Sequence, residues 1–129
     1  MRPSSEAELA EAVAAASGPL LVRGGGTRTI GTALGEVLET GGLSGVELYE
    51  PGALTLVAKA GTPVAEVEAV LAADRQRLAF EVPDLRGLLG REGLSTIGGV
   101  LAANASGPRR VQVGAARDAA LGVRFVDGS

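Results

Sequence analysis

Apolar residues recur at helical spacing in two segments of the chain, residues 6–16 and Val64–Ala73. Ser5 is the predicted N-cap of the first segment, and Glu8 completes a capping box with it. Thr62 is the predicted N-cap of the second segment, because a proline suited to the first helical position follows it. The pattern therefore predicts two amphipathic helices.

Short apolar runs bounded by glycine, proline or polar residues predict β-strands. Such runs lie at residues 20–22, 35–40, 45–50, 54–60, 78–80 and 119–126. A Pro51-Gly52 turn joins the third run to the fourth, whereas residues 81–94 look irregular. Ser95 or Thr96 is expected to cap a short helix that runs through residues 99–104. Helices mixed with strands indicate an α/β or an α+β domain.

The composition narrows the chemistry that the chain can carry. Of its 129 residues, 46% are hydrophobic but only 2% are aromatic, so the core must be aliphatic. With a net charge of −3, no basic tail and no apolar run of the ~20 residues that span a membrane, neither nucleic acid nor a transmembrane segment is expected. The absence of Cys and His excludes thiolate chemistry, an imidazole base and a zinc site of the usual kind. Any redox chemistry must therefore come from a bound cofactor.

The sequence LLVRGGGT at residues 20–27 is the strongest candidate for a binding site. Its three glycines let another part of the chain or a ligand approach the backbone closely, and successive N–H groups suit a phosphate. The dinucleotide fingerprint is excluded because Thr29 stands at its last glycine, and a P-loop is excluded because the only lysine is Lys59. Replacing Gly25 with valine is expected to remove phosphate binding more than it lowers stability.

A second candidate segment, STIGGVLAANASGPRR, covers residues 95–110. Gly98 and Gly99 stand at the start of the predicted helix, where a pyrophosphate binds favourably. The small side chains of residues 102–107 allow a flat ring system to lie against the backbone. A close contact with a neighbouring helix or sheet explains the same small residues equally well.

A third candidate segment, GAARDAALG, covers residues 114–122 and contains Arg117 next to Asp118. Arg109 and Arg110 lie just upstream. These arginines either bind a phosphate or carboxylate group or belong to a solvated surface.

The chain resembles FAD-binding domains of the vanillyl-alcohol oxidase type, also called PCMH-type domains. Four motifs carry the resemblance in the family's order: RGGGT, AGT at residues 60–62, STIGGVLAANASG and GAARDAALG. The match covers residues 20–128. Within the family, VELYEPGALTLVAKAGTPVAEVEAVL at residues 46–71 and GPRRVQVGAARDAALG at residues 107–122 look most like FAD-binding subunits of bacterial glycolate oxidases.

The resemblance implies two α+β subdomains with FAD in the cleft between them. Residues 1–60 would contain the N-terminal helix and a small βαβ-type subdomain with the glycine-rich loop, and residues 61–129 a second subdomain, incomplete at its C-terminus. The implied pyrophosphate-binding residues are Arg23, Gly24, Gly25, Gly26, Thr27 and Arg28 through their backbone amides, and Thr96, Gly98 and Gly99, which would also contact the ribityl chain. Asn104, Ala105 and Gly107 would approach the flavin ring, and Gly114, Arg117 and Asp118 would complete the wall.

Two departures from the family pattern change these expectations. Many relatives attach FAD covalently through a histidine near the glycine loop, whereas Thr27 stands there in this chain, so FAD is expected to bind non-covalently. The family domain also continues past residues 126–128, with contacts on the adenine side and a separate substrate domain that supplies the catalytic base. The resemblance therefore predicts an incomplete cofactor site and no catalytic residue within the chain.

The expected function is that of the FAD-binding subunit of a glycolate (2-hydroxy acid) oxidase or dehydrogenase complex. The resemblance implies a second flavin subunit and an iron–sulfur subunit as partners. It also implies a cytoplasmic location, peripheral at the inner membrane through those partners. One alternative is a non-catalytic assembly module without tightly bound flavin. Another is a fragment of a D-lactate or sugar-alcohol oxidase, against which GPRR followed by GAARD argues.

Overall fold

The computed structural model describes residues 1–128 and mixes helices with strands. The helices are α1 (Glu6–Ala14), α2 (Val64–Ala73), α3 (Arg86–Leu89), α4 (Ile97–Ala102), α5 (Arg110–Val113) and α6 (Ala116–Ala119). The strands are β1 (Leu20–Arg23), β2 (Glu36–Glu39), β3 (Val46–Glu50) and β4 (Thr55–Ala58). This mixture confirms the α+β class. The longest described helix has ten residues, and none of the described helices is long and apolar enough to cross a membrane.

The two sheets in the described residues have two strands each. β1 lies parallel to β2, with Leu20 opposite Glu36, and residues 24–35 provide the long crossover that parallel strands require. β3 and β4 form an antiparallel pair around the 3-10 turn Pro51–Ala53, where the sequence predicts a turn. The glycine-rich loop therefore leaves the carboxyl end of a parallel strand, the end at which ligand-binding loops gather in α/β sheets.

α2 and α4 contribute to both clusters of the hydrophobic core. One cluster contains Val64, Phe80, Val100, Ala105 and Ala116. The other contains Val67, Leu71 and Ile97, and the β3–β4 pair packs against it. Phe80 is the single aromatic residue in these clusters of the described chain, so the core is almost entirely aliphatic, as the composition predicts.

A short backbone pairing joins the start of α2 to the start of α4. Its hydrogen bonds run from Val64 N–H to the Ser95 carbonyl (2.8 Å), from Ile97 N–H to the Thr62 carbonyl (2.9 Å) and from Gly98 N–H to the Ala60 carbonyl (2.8 Å). This pairing brings the AGT motif beside the STIGG motif, although more than thirty residues separate the two in sequence.

The predicted N-cap of α2 is wrong, whereas two other predicted caps are confirmed. Ser5 accepts a hydrogen bond from Glu8 N–H in front of α1, and Thr96 accepts one from Gly99 N–H in front of α4. The predicted capping box at α1 is wrong, because the Glu8 carboxylate accepts its hydrogen bonds from Ser4 rather than from the Ser5 N–H. Pro63 occupies the cap position of α2. Thr62 is instead fully buried, because the backbone pairing places it inside the protein. There its hydroxyl accepts a hydrogen bond from Gly45 N–H in the loop before β3.

Two predicted strands, at residues 78–80 and 119–126, are absent from the described structure. Phe80 lies in the core as irregular chain, so its burial rather than strand pairing explains the apolar run. In the second run, Leu121, Val123 and Phe125 are each at least 71% exposed. A strand requires a neighbour to pair with, and no described strand lies alongside either run.

The buried hydroxyl of Thr62 yields a test of the fold. It accepts a hydrogen bond from Gly45 N–H (2.9 Å) and donates to the Lys59 carbonyl (2.7 Å). Thr62→Val keeps the shape but leaves buried polar groups unpaired, so we expect it to lower the free energy of unfolding by about 1–3 kcal/mol. The measurement is urea denaturation followed by circular dichroism.

Thr55→Val is the matched control, because the Thr55 hydroxyl bonds only to the exposed Ala53 carbonyl within residues 1–128. Its effect is expected to stay within about 0.5 kcal/mol. Equal losses in the two variants would contradict the role given to Thr62.

Candidate functional site

The glycine loop, residues 24–28, packs backbone against backbone on the segment before α4. A Cβ atom on Gly24 would collide with the Thr96 hydroxyl, and one on Gly25 would collide with the Leu94 carbonyl. From the opposite side, a Cβ atom on Gly93 would lie 2.7 Å from the Gly25 carbonyl oxygen. The two segments can therefore approach this closely only because side chains are absent.

The N–H groups of the glycine loop have no hydrogen-bond acceptor among the described residues. Within residues 1–128, the backbone N–H groups of residues 25–28 donate no hydrogen bond to a protein acceptor. Gly26 has a φ of +68°, in the left-handed region that glycine adopts readily, and a Cβ atom there would meet only Arg23 Cδ at 3.8 Å. Successive N–H groups next to a left-handed residue form a concave site for an anion.

The two arginines that flank the loop have different surroundings. Arg23 forms an ion pair with Glu39 at the end of β2, and this hydrogen bond lowers the pKa of the Glu39 carboxyl. Arg28 instead donates to two neutral oxygens, the Ser95 hydroxyl (2.9 Å) and the Pro83 carbonyl (3.1 Å). Its Nε atom is buried and has no hydrogen-bond partner among the described residues. Arg28 therefore keeps a positive charge at the loop that no direct carboxylate contact neutralises.

The first N–H groups of α4 already have protein acceptors. Gly98 N–H donates to the Ala60 carbonyl (2.8 Å), and Gly99 N–H donates to the Thr96 hydroxyl (3.3 Å). Gly98 also lies so close to Ala60 that a Cβ atom would come within 2.7 Å of the Ala60 Cβ. A ligand beside these two glycines would therefore contact their Cα atoms rather than their N–H groups.

The predicted ring-contacting segment and the GAARD motif lie side by side. Arg117 N–H donates to Asn104 Oδ1 (3.0 Å), and Ala116 N–H donates to the Ala105 carbonyl (3.0 Å). Asn104 has a φ of 46°, which asparagine tolerates better than most residues. These contacts bring residues 104–107 together with residues 114–118.

Asp118 and Arg117 face different surroundings at the far edge of that cluster. Asp118 Oδ2 accepts a hydrogen bond from Ala115 N–H (2.8 Å), and its side chain lies against Gly114, whose φ is +80°. The Arg117 side chain is 70% exposed and lies 3.7 Å from Asp118 Oδ1. Asp118 is therefore a structural cap for α6, whereas the Arg117 guanidinium faces solvent.

The predicted site residues thus form two clusters at opposite ends of α4. Residues 23–28 gather with residues 96–99 at its start, and residues 104–107 gather with residues 114–118 after its end. Six helical residues span about 9 Å. A ligand that contacts both clusters must be extended.

Sequence reasoning missed the contribution of residues 81–94, which looked irregular. Pro83 accepts a hydrogen bond from Arg28, as does Ser95 in the adjacent segment. Glu81 accepts hydrogen bonds from Arg109, and these bonds lower the pKa of the Glu81 carboxyl. A cleft of ≈170 Å³ opens here, and its lining includes Thr27, Arg28, Asp84, Arg86 and Ser95. The partners lie up to 67 residues apart, and no local pattern reveals such pairs.

Comparison with known proteins assigns the chain to a family. The FAD binding domain family matches residues 1–129, which confirms the resemblance seen in the motifs. Glycolate oxidase subunit GlcE of Escherichia coli (strain K12) is 34% identical over 113 residues, which cover 86% of this chain and 31% of that protein. The chain therefore spans about a third of the length of this relative.

The tight packing of the glycine loop changes the expected effect of a side chain at Gly25. Because a Cβ atom there would collide with the Leu94 backbone, Gly25→Ala is expected to lower the free energy of unfolding by more than about 2 kcal/mol. Gly52→Ala is the control, since a Cβ atom on Gly52 meets nothing within 4 Å. Urea denaturation of both variants measures the difference, and a stable Gly25→Ala protein would show that the loop does not pack in this way.

Asp84, in the same cleft, gives a pH-dependent test. Hydrogen bonds from Arg86 lower the pKa of its carboxyl from 3.8 to about 2. A lowered folded-state pKa contributes stability that is fully present above about pH 4 and is lost as the pH falls toward 2. We therefore expect Asp84→Asn to lose less stability than the wild-type protein between about pH 5 and pH 3.

The urea midpoints at the two pH values provide the measurement. Glu66→Gln serves as the control, because the exposed Glu66 side chain makes no hydrogen bond within residues 1–128. Identical pH slopes for the wild type and Asp84→Asn would contradict the role of the Arg86 contact.

Proposed function

This chain belongs to the FAD binding domain family, and we propose that it forms the FAD-binding part of a 2-hydroxy-acid oxidoreductase of the glycolate oxidase type. Bound FAD supplies two-electron chemistry by accepting a hydride from the substrate and passing electrons onward. The role of this chain in the proposal is to hold the cofactor and to shape its surroundings. No residue of the chain is assigned a catalytic role.

The observation that carries the proposal is the set of unpaired donors in the glycine loop. The N–H groups of residues 25–28 have no acceptor within the described chain, and the buried Arg28 Nε has none either. A pyrophosphate carries the negative charge and the acceptor oxygens that such donors bind. The residues present therefore fit the pyrophosphate of FAD at this loop.

The two-cluster arrangement fits the rest of an extended dinucleotide. Residues 104–107 offer small side chains, and α6 holds residues 104–105, an arrangement that suits the flat flavin ring. In the proposal, the pyrophosphate lies at the start of α4 and the ring lies beyond its end. The two implied subdomains, residues 1–60 and 61–129, remain part of this proposal.

The absence of His and Cys supports non-covalent binding of FAD. Both side chains are nucleophiles that can form bonds to a cofactor, and neither occurs among the 129 residues. The cofactor would then be held by hydrogen bonds and charge alone, so that denaturation should release it.

The relative is named as a subunit, which supports a place for this chain in a complex. We include in the proposal a second flavin subunit and an iron–sulfur subunit as partners. The proposed location is cytoplasmic, at the inner membrane only through those partners.

A second candidate function is an assembly module that keeps the fold without tightly bound flavin. Two observations favour it: Gly98 and Gly99 use their N–H groups inside the protein, and Arg23 is paired with Glu39. Fewer donors would then remain for FAD than the family motif implies.

An absorption spectrum of the purified protein, with and without added FAD, separates the two functions. Under the FAD-binding proposal, flavin bands accompany the protein and move to the supernatant after acid precipitation. Bands that stay in the precipitate would contradict non-covalent binding. A colourless protein without saturable FAD binding would favour the assembly module.

Arg28→Gln sharpens this test at the loop. Loss of the charge and of the bonds to Ser95 and Pro83 is expected to weaken FAD binding by about tenfold or more. Arg77→Gln is the control, because Arg77 is exposed and its side chain makes no hydrogen bond within residues 1–128. Flavin fluorescence titrations give the dissociation constants of both variants. Equal values would show that Arg28 does not contribute to FAD binding.

A further inference from the structure

Glu81 holds the chain that follows the small residues after α4. Its carboxylate accepts two hydrogen bonds from Arg109, one from the backbone N–H (3.1 Å) and one from Nε (2.9 Å). Within residues 1–128, these are the only hydrogen bonds between residues 106–110 and a distant part of the sequence. The position of this turn therefore depends on one carboxylate.

The Glu81 side chain also fills the space beside Gly107. A Cβ atom built on Gly107 would lie 2.8 Å from Glu81 Cδ, and still closer to its Cβ and one carboxylate oxygen. The preceding residue, Phe80, is buried in the core. The core thus fixes the backbone at Glu81, and the Glu81 side chain in turn restricts where Gly107 can lie.

The other side of the same segment is held by α6. Ala116 N–H donates to the Ala105 carbonyl, and Arg117 N–H donates to Asn104 Oδ1, both at 3.0 Å. Residues 104–105 are therefore fixed by α6, whereas Gly107 and the turn after it are fixed by Glu81. Removing Glu81 should release one end of the segment and leave the other in place.

We propose that Glu81 is a positioning residue for the flavin ring, which acts by holding Gly107 and Arg109 in place. The proposal rests on the proposed function, because it requires FAD to bind with its ring beside residues 104–107. Glu81 itself does not touch the ring. It sets the shape of the wall that the backbone of Gly107 presents to the cofactor.

The test compares Glu81→Gln with Glu92→Gln, a matched variant in the same irregular region whose exposed side chain makes no hydrogen bond within residues 1–128. Hydrogen exchange of the Arg109 amide, measured by NMR without FAD, reports the contact directly. We expect exchange to become about tenfold faster in Glu81→Gln, because a charge-assisted hydrogen bond is weakened. Glu92→Gln should match the wild type.

The visible circular dichroism of bound FAD, at saturating FAD, reports the surroundings of the ring. A residue that only stabilises the fold would leave this spectrum unchanged once the site is saturated. We expect an altered spectrum and about three- to tenfold weaker FAD binding in Glu81→Gln, since the contact is partly exposed to solvent. A spectrum and an affinity equal to those of the wild type would overturn the proposal.

Arg109→Gln provides a second variant if Glu81→Gln fails to fold. It removes the hydrogen bond from Nε but keeps the one that the backbone N–H donates to the Glu81 carboxylate. It should produce the same spectral change to a smaller extent, and no change would overturn the proposal. A wild-type protein that binds no FAD would overturn the proposed function and this inference with it. If the wild type binds FAD and the variants show the same spectrum and affinity as the wild type, the inference alone is overturned.

Discussion

The backbone pairing of residues 60–64 with residues 95–98 is the constraint on which the rest of the structure depends. It places the start of α2 beside the start of α4, and the two core clusters form where these helices meet. Thr62 is buried within it and ties the loop before β3 to the same point. The segment just before the pairing, at Leu94, is also the surface on which the glycine loop packs. The core and the candidate site are therefore positioned by one set of hydrogen bonds. A substitution that disrupts this pairing would displace residues in both.

Several glycines in this chain lie where a side chain would collide with a neighbouring segment. Gly24 and Gly25 lie against the segment before α4, and Gly98 lies against Ala60, at distances that exclude a side chain. Gly26 differs, because its left-handed backbone turns the loop while the space beside it stays open. The loop thus packs closely against the protein while its N–H groups lack protein acceptors among the described residues. Close packing restrains the loop, and a restrained set of donors binds an anion with a smaller loss of entropy.

The charges around the two clusters are arranged differently. Arg23 is paired with Glu39, so its charge is largely balanced within the parallel sheet. Arg28 is held by neutral oxygens and makes no direct ion pair among the described residues, although the Asp84 carboxylate lines the same cleft. Glu81 and Arg109 form a pair that positions a turn. An overall net charge of −3 thus coexists with an arginine at the glycine loop that lacks a direct carboxylate partner within residues 1–128, so the whole-chain charge says little about a small anionic ligand.

The sequence alone determined the local features: Ser5 as the cap of α1, β1 and the β3–β4 turn, a cap at Ser95 or Thr96 in front of α4, and the family to which the chain belongs. Each depends on residues close together in the chain, or on motif order. Tertiary structure decided the role of Thr62, the irregular course of residues 78–80 and the packing of Gly25, because these follow from which distant segments meet. It also decided that Glu81 and Pro83 belong to the candidate site. A carboxylate in an irregular stretch looks like any solvated side chain until the fold places Arg109, 28 residues away, within hydrogen-bond distance.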